Sequence, residues 1–97
     1  MGNIVVQNIL RNINSKQINI SVIGLGYVGL PLCLALCKAN YNVYGIDNNA
    51  ERVNSLKKSN SYISTIKNYQ IKKIVNKKFI PTNNFEIIKN SEIIIIC

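Results

Sequence analysis

Histidine is absent from this chain, and its three cysteines, Cys33, Cys37 and Cys97, form no CxxC pair. Those two lacks leave no ligand set for a tetrahedral zinc site, so no metal is expected. Cys33 and Cys37 stand four apart on one helical face and read as buried apolar side chains. An odd cysteine count without a signal peptide points to a reducing, cytoplasmic setting. No apolar run approaches the roughly 20 residues that cross a bilayer. The opening Met1-Gly2 also fails the myristoylation pattern, because Val6 stands where that pattern needs Ser or Thr. A soluble protein with no membrane partner follows.

Acidic residues are scarce as well, with four Asp and Glu against twelve Lys and Arg and a formal charge of +8. Attraction to phosphates therefore has to be weighed. The lysines concentrate between Lys57 and Lys89 at solvent-facing positions among Ile, Val and Phe, with no aromatic platform on which bases would stack. That pattern is a solvated face, and no nucleic-acid partner is expected. Hydrophobic residues make up 47% of the 97 and charged ones 16%, a balance that favours a folded interior of one domain or part of one.

Along the chain, residues 2–17 carry Ile4, Val5, Ile9, Leu10 and Ile13 at helical spacing, which predicts an amphipathic lead-in over 1–17 ahead of a domain over 18–97. The β-branched string from Ile18 to Gly24 predicts a strand. Tyr27 to Lys38 follows as a helix that is apolar almost all round, hence deeply packed, with Pro31 tolerated in its first turn. A turn over Asn40–Asn42 leads to a second strand, Val43–Asp47, and Asn48 or Asn49 caps a helix from Ala50 to about Lys58 with Val53 and Leu56 inward.

After a polar loop over Ser59–Thr65, Ile66–Asn76 reads as helix with Ile66, Tyr69, Ile74 and Val75 as contacts. A short strand is expected over Lys78–Pro81, and one or two helical turns over Asn84–Asn90. The run Glu92–Cys97 contains four consecutive isoleucines and no alternation, which predicts a strand buried on both faces. Alternating strands and helices of this kind give an α/β fold, a Rossmann-type parallel sheet with helices on both faces, here truncated after the fourth strand.

Gly24-Leu25-Gly26-Tyr27-Val28-Gly29 matches G-x-G-x-x-G, and it falls between the first strand and the first helix. In that context the first glycine permits the tight turn, the second lets a pyrophosphate approach the backbone, and the third lets the helix lie close. The loop contains no Lys or Arg, so binding would rest on main-chain N–H groups and the helix dipole, which suits a dinucleotide rather than a Walker-type site. Asp47, 18 residues after Gly29, ends the second strand where a carboxylate accepts hydrogen bonds from the adenosine ribose and repels a 2′-phosphate, so the expected cofactor is NAD and not NADP. Arg52 lies one turn into the next helix, within reach of the adenine or its ribose. The competing readings are a simple helix cap for Asp47 and an ordinary surface residue for Arg52.

The tract Val22-Ile23-Gly24-Leu25-Gly26-Tyr27-Val28-Gly29-Leu30-Pro31-Leu32 resembles the opening of the nucleotide-sugar 6-dehydrogenases, the UDP-glucose/GDP-mannose dehydrogenase family. Gly45-Ile46-Asp47 and Arg52-Val53 extend the likeness, and Ser59-Asn60-Ser61-Tyr62-Ile63 is similar to the loop of the UDP-N-acetylhexosamine (UDP-N-acetylglucosamine) branch. Cys33 and Cys37 depart from the family pattern at nearly constant volume. The resemblance implies an NAD-dependent oxidoreductase that oxidises the C6 alcohol of a UDP-sugar to a carboxylate with two NAD. Such a reaction passes through a thiohemiacetal and a thioester on a cysteine nucleophile and feeds polysaccharide precursor synthesis.

It further implies a C-terminal half that binds the UDP-sugar and supplies that cysteine, together with a homo-oligomer at full length. Cys97 matches a strand position and is not the nucleophile, so no catalytic residue is expected within these 97 residues and the stretch alone is expected to be inactive. The alternatives are a non-catalytic NAD-binding module, an inactive truncated fragment, and another Rossmann oxidoreductase.

Overall fold

A computed structural model describes residues 18–97, so the expected lead-in over 1–17 lies outside the described residues. The chain runs β1 (Asn19–Ile23), α1 (Gly29–Lys38), β2 (Asn42–Ile46), α2 (Ala50–Lys57), α3 (Asn68–Ile74), β3 (Phe79–Thr82), a 3₁₀ helix (Phe85–Asn90) and β4 (Ile93–Ile96). All three strand pairings are parallel, and the sheet order is β3-β2-β1-β4.

Local chemistry explains where the helices start and stop. Asn49 caps α2 by accepting from the Arg52 N–H at 3.2 Å, and the Gln70 side chain accepts from the Lys67 N–H at 2.8 Å ahead of α3. Each helix is followed by a residue in the left-handed region, Asn40, Ser59 and Asn76 respectively, which turns the chain back toward the sheet. At the lower end of the sheet, Glu92 Oε2 accepts from the Asn19 N–H at 2.6 Å and Asn19 Nδ2 donates to the Asn90 carbonyl at 3.0 Å, fixing β4 beside β1.

The central strand β1 is covered on both faces: Ile20 and Val22 are buried in the core, and Ser21 is buried opposite them with its hydroxyl bonded to that of Ser91. The core continues through Leu25, Leu30, Cys33, Val43, Leu56, Ile71 and Phe79. Gly45 of β2 lies beneath the Phe79 ring, which fills the space where a side chain would project. α1 packs on β1 and β2, α3 on α1, and α2 on β3. Steps from β1 to β2 to β3 run one way and the last connection runs back, so right-handed crossovers put that connection on the opposite face. There the 3₁₀ helix lies against β2.

Three expectations need correction. The helix after the glycines begins at Gly29 and not Tyr27, and it is buried only along Gly29, Leu30, Cys33 and Cys37; Val28 and Ala35 are exposed because the sheet covers one side of the helix. Among the described residues the last strand is half-buried on one face and exposed on the other. Ile93 and Ile95 pack against the core, but Ile94 and Ile96 are exposed, the latter to 79%, because β4 stands at the sheet edge with no helix over that face among the described residues. Tyr69, expected as a packing contact of the Ile66–Asn76 helix, is 62% exposed, since α3 is shorter and turns Ile71 inward in its place.

Candidate functional site

The turn that leaves β1 is held from three sides. Gly24 adopts φ +96°, a conformation that strains any L side chain, and its N–H donates to the Ile46 carbonyl at 2.8 Å. A Cβ there would also meet the Cys97 carbonyl at 2.7 Å. Gly29 is closer still: a Cβ on it would overlap the Gly24 carbonyl, so α1 can start against the turn only with glycine at that place.

Gly26 differs from both. The nearest atom to a Cβ built there is Arg52 Nη1 at 3.7 Å, so the chain itself does not demand glycine at this position. The space in front of Gly26 opens into a cleft of about 260 Å³ lined by Gly24, Gly26, Tyr27, Val28, Gly29, Arg52 and Cys97. The first helical hydrogen bond runs from the Leu30 N–H to the Gly26 carbonyl at 3.1 Å. The N–H groups of Tyr27, Val28 and Gly29 precede it and have no carbonyl one turn back, which leaves a positive helix end at the cleft. The cleft lies above the carboxyl ends of β1 and β4, where the strand order reverses and open α/β sheets bind ligands.

Asp47 follows β2 and is only 7% exposed. Its Oδ2 accepts from the Leu25 N–H and its Oδ1 from the Asn49 N–H, both at 2.9 Å. Arg52 Nη1 stands 3.5 Å from Oδ2. Burial by itself would raise the carboxyl, but the two main-chain donors and the guanidinium outweigh it and hold Asp47 below the usual aspartate range. It is an anion whose Oδ1, bonded to one donor, keeps a spare acceptor lone pair, while Oδ2 already faces two donors.

The predicted residues thus converge, though in different capacities. Tyr27 is 80% exposed and Val28 faces solvent beside it, at the mouth of the cleft. Leu25 is fully buried and its N–H is already given to Asp47, so it supports the turn from beneath. Arg52 reaches the cleft from α2 and also lies 5.6 Å from the Tyr62 ring centroid. Sequence reasoning assigned no role to Tyr62, whose hydroxyl donates to the Leu25 carbonyl. Its signals in the sequence are a lone aromatic in a polar loop and its place in the Ser59–Ile63 tract that resembles the family loop.

The cleft passes the test that a dinucleotide sets. Gly26 faces open space that a Cβ would occupy, the residues that open the first helix line it, and an anionic carboxylate follows the neighbouring strand. A parallel sheet in this order, with a glycine turn at its reversal point, defines a Rossmann-type dinucleotide-binding domain. Residues 18–97 match the NAD binding domain of the UDP-glucose/GDP-mannose dehydrogenase family, and the chain belongs to that family.

Among its relatives, UDP-N-acetyl-D-mannosamine dehydrogenase of Pyrococcus horikoshii is 34% identical over 83 residues, covering 80% of this chain and 19% of that protein. The enzyme of the same name from Methanococcus maripaludis is 53% identical over 38 residues, 39% of this chain and 9% of its own length. The solved structure of the Pyrococcus horikoshii dehydrogenase superposes with a TM-score of 0.75 at 30% identity, covering 81% of this chain and 19% of that one. The chain therefore spans less than a fifth of the length of the curated relatives it matches. Among the described residues no helix is long and apolar enough to cross a membrane.

Proposed function

We propose that this chain supplies the NAD-binding part of a nucleotide-sugar dehydrogenase that oxidises the C6 alcohol of a UDP-N-acetylhexosamine to a carboxylate with two NAD. The observation that carries the reading is the contrast among the three motif glycines. Gly24 and Gly29 are required by the protein's own packing, and Gly26 by none of it, so its lack of a side chain serves a ligand. The UDP-sugar rests on the relatives, whose names are UDP-N-acetyl-D-mannosamine dehydrogenases.

NAD, when bound, accepts the hydride. The residues of this chain bind and orient it. Main-chain N–H groups of Tyr27, Val28 and Gly29 hold the diphosphate at the positive end of α1, an attraction typically of about 0.3–1 kcal/mol where exposed. Asp47 accepts from the adenosine ribose hydroxyls, and its charge disfavours a 2′-phosphate, giving NAD preference over NADP. Arg52 packs beside the adenosine. Leu25 sets the height of the turn from the core.

Gly26→Ala in the full chain is the test. The added methyl finds room in the protein, so stability should change by less than about 1 kcal/mol. In a calorimetric titration NAD binding should be lost. Unchanged NAD affinity in the variant would refute the reading, as would an unmutated protein that binds no NAD. Formation of NADH with UDP-N-acetylmannosamine or UDP-N-acetylglucosamine, set against UDP-glucose, then decides the sugar.

A further inference from the structure

Between α2 and α3 the chain makes a polar loop anchored in the core by Ile63 and Ile66, both buried. Its shape is fixed further by Ser55 Oγ, which donates to the Asn60 carbonyl at 2.8 Å, and by Asn68 Oδ1, which accepts from the Ser61 N–H at 2.8 Å. Tyr62 projects from this fixed segment toward the glycine turn and makes two contacts there. Its hydroxyl donates to the carbonyl of Leu25, the residue immediately before Gly26, and its ring lies 5.6 Å from the Arg52 guanidinium carbon.

From this arrangement we infer that Tyr62 is a positioning residue for the dinucleotide site, bracing the diphosphate turn through Leu25 and aiming Arg52 through its ring. The inference rests on the NAD-binding reading given above. Its logic is geometric. Leu25 is held from both of its backbone ends, the N–H by Asp47 and the carbonyl by Tyr62, so the peptide leading into Gly26 has little freedom to rotate. Arg52 likewise sits between a carboxylate and an aromatic face, which confines a side chain that is 40% exposed and would otherwise sample solvent.

Both constraints act on groups that line the cleft, and neither requires Tyr62 to touch a ligand. Burial, reinforced by negative charge at Asp47 and opposed by Arg52, pushes the Tyr62 phenol up to about 12, so it stays a hydrogen-bond donor throughout the neutral range.

Calorimetric titration of NAD into the full chain, comparing Tyr62→Phe and Tyr62→Leu with the unmutated protein, separates bracing from plain structural support through its two readouts. A residue that only keeps the protein folded would lower the fraction of competent molecules, seen as stoichiometry, and leave Kd unchanged. Bracing predicts the reverse: stoichiometry near one and a raised Kd.

Tyr62→Phe, which keeps the ring and loses the hydroxyl, should raise Kd about 2- to 12-fold, the equivalent of one net hydrogen bond. Tyr62→Leu, which loses both contacts, should raise it further, by about another 2- to 5-fold. Should the leucine variant fail to fold, the phenylalanine variant decides alone. A Tyr62→Phe protein with unaltered Kd, or with reduced stoichiometry at unaltered Kd, overturns the inference while leaving the NAD reading intact. An unmutated protein that binds no NAD removes that reading itself.

Discussion

Asp47→Ala should destabilise the fold substantially even when no cofactor is present. The carboxylate accepts from two main-chain donors at 2.9 Å, and they are not equal. The Leu25 N–H belongs to a fully buried residue and has no water to turn to, so leaving it unpaired costs about 1–3 kcal/mol. The Asn49 N–H is only partly buried and recovers some solvation, and the Arg52 contact at 3.5 Å with an exposed guanidinium adds at most about 1 kcal/mol.

The sum is a loss of about 1–4 kcal/mol, a large share of the roughly 5–15 kcal/mol that holds a domain together. Asp47→Asn keeps one acceptor oxygen for Leu25 and should lose about 1–2 kcal/mol. Urea unfolding should show the midpoints falling in the order wild type, Asn, Ala at constant slope. Because Asp47 is held below its ordinary value in the folded state, its ionisation contributes stability above the normal carboxylate range, and that contribution disappears as pH falls through the folded value. The gap between wild type and Asp47→Asn should therefore close in acid. An alanine variant within about 0.5 kcal/mol of wild type at neutral pH would refute the structural role and leave the carboxylate as a ligand group alone.

Three further outcomes test the same structure. Gly29→Ala forces a methyl onto the Gly24 carbonyl and should cost at least the upper end of the roughly 1–3 kcal/mol typical of overpacking, visible as a lowered thermal midpoint; a midpoint equal to wild type would show that α1 can slide off the turn. Cys97 is exposed and should react with Ellman's reagent in the native protein, while buried Cys33 and Cys37 should react only on unfolding. Burial pushes the Cys37 thiol up to about 12 despite nearby Lys78. Its contribution to stability is thus complete below the ordinary thiol range near 9 and declines as pH rises toward 12, which alkaline unfolding curves should show.

The parts of this protein legible from sequence are those decided by neighbours in the chain. β1, the glycine turn and the acid after β2 were evident because a strand, a turn and a cap each need particular residues at short spacing. What went astray depended on distant partners. Four isoleucines announce an apolar strand, but whether a second face is covered is settled by elements elsewhere, and nothing among the described residues covers that face of β4. Tyr69 fits a helical stripe as well as Ile71 does, and only the packing of α3 on α1 selects between them. Tyr62 was passed over because its partner Leu25 lies 37 residues away. Asp47 showed its place at a strand tip but not its bond to the Leu25 N–H across 22 residues, since that contact exists only once β1 and β2 are side by side.

That bond has a consequence for how the site can change over evolutionary time or under engineering. A residue that knots two strand ends together and, on the proposed reading, also faces the nucleotide cannot be exchanged for the sake of the second task without loosening the first. Retuning the charge at position 47 to welcome a phosphorylated nucleotide would call for a compensating acceptor beneath the Leu25 N–H in the same step, so single replacements there should yield fragile proteins more often than altered preferences.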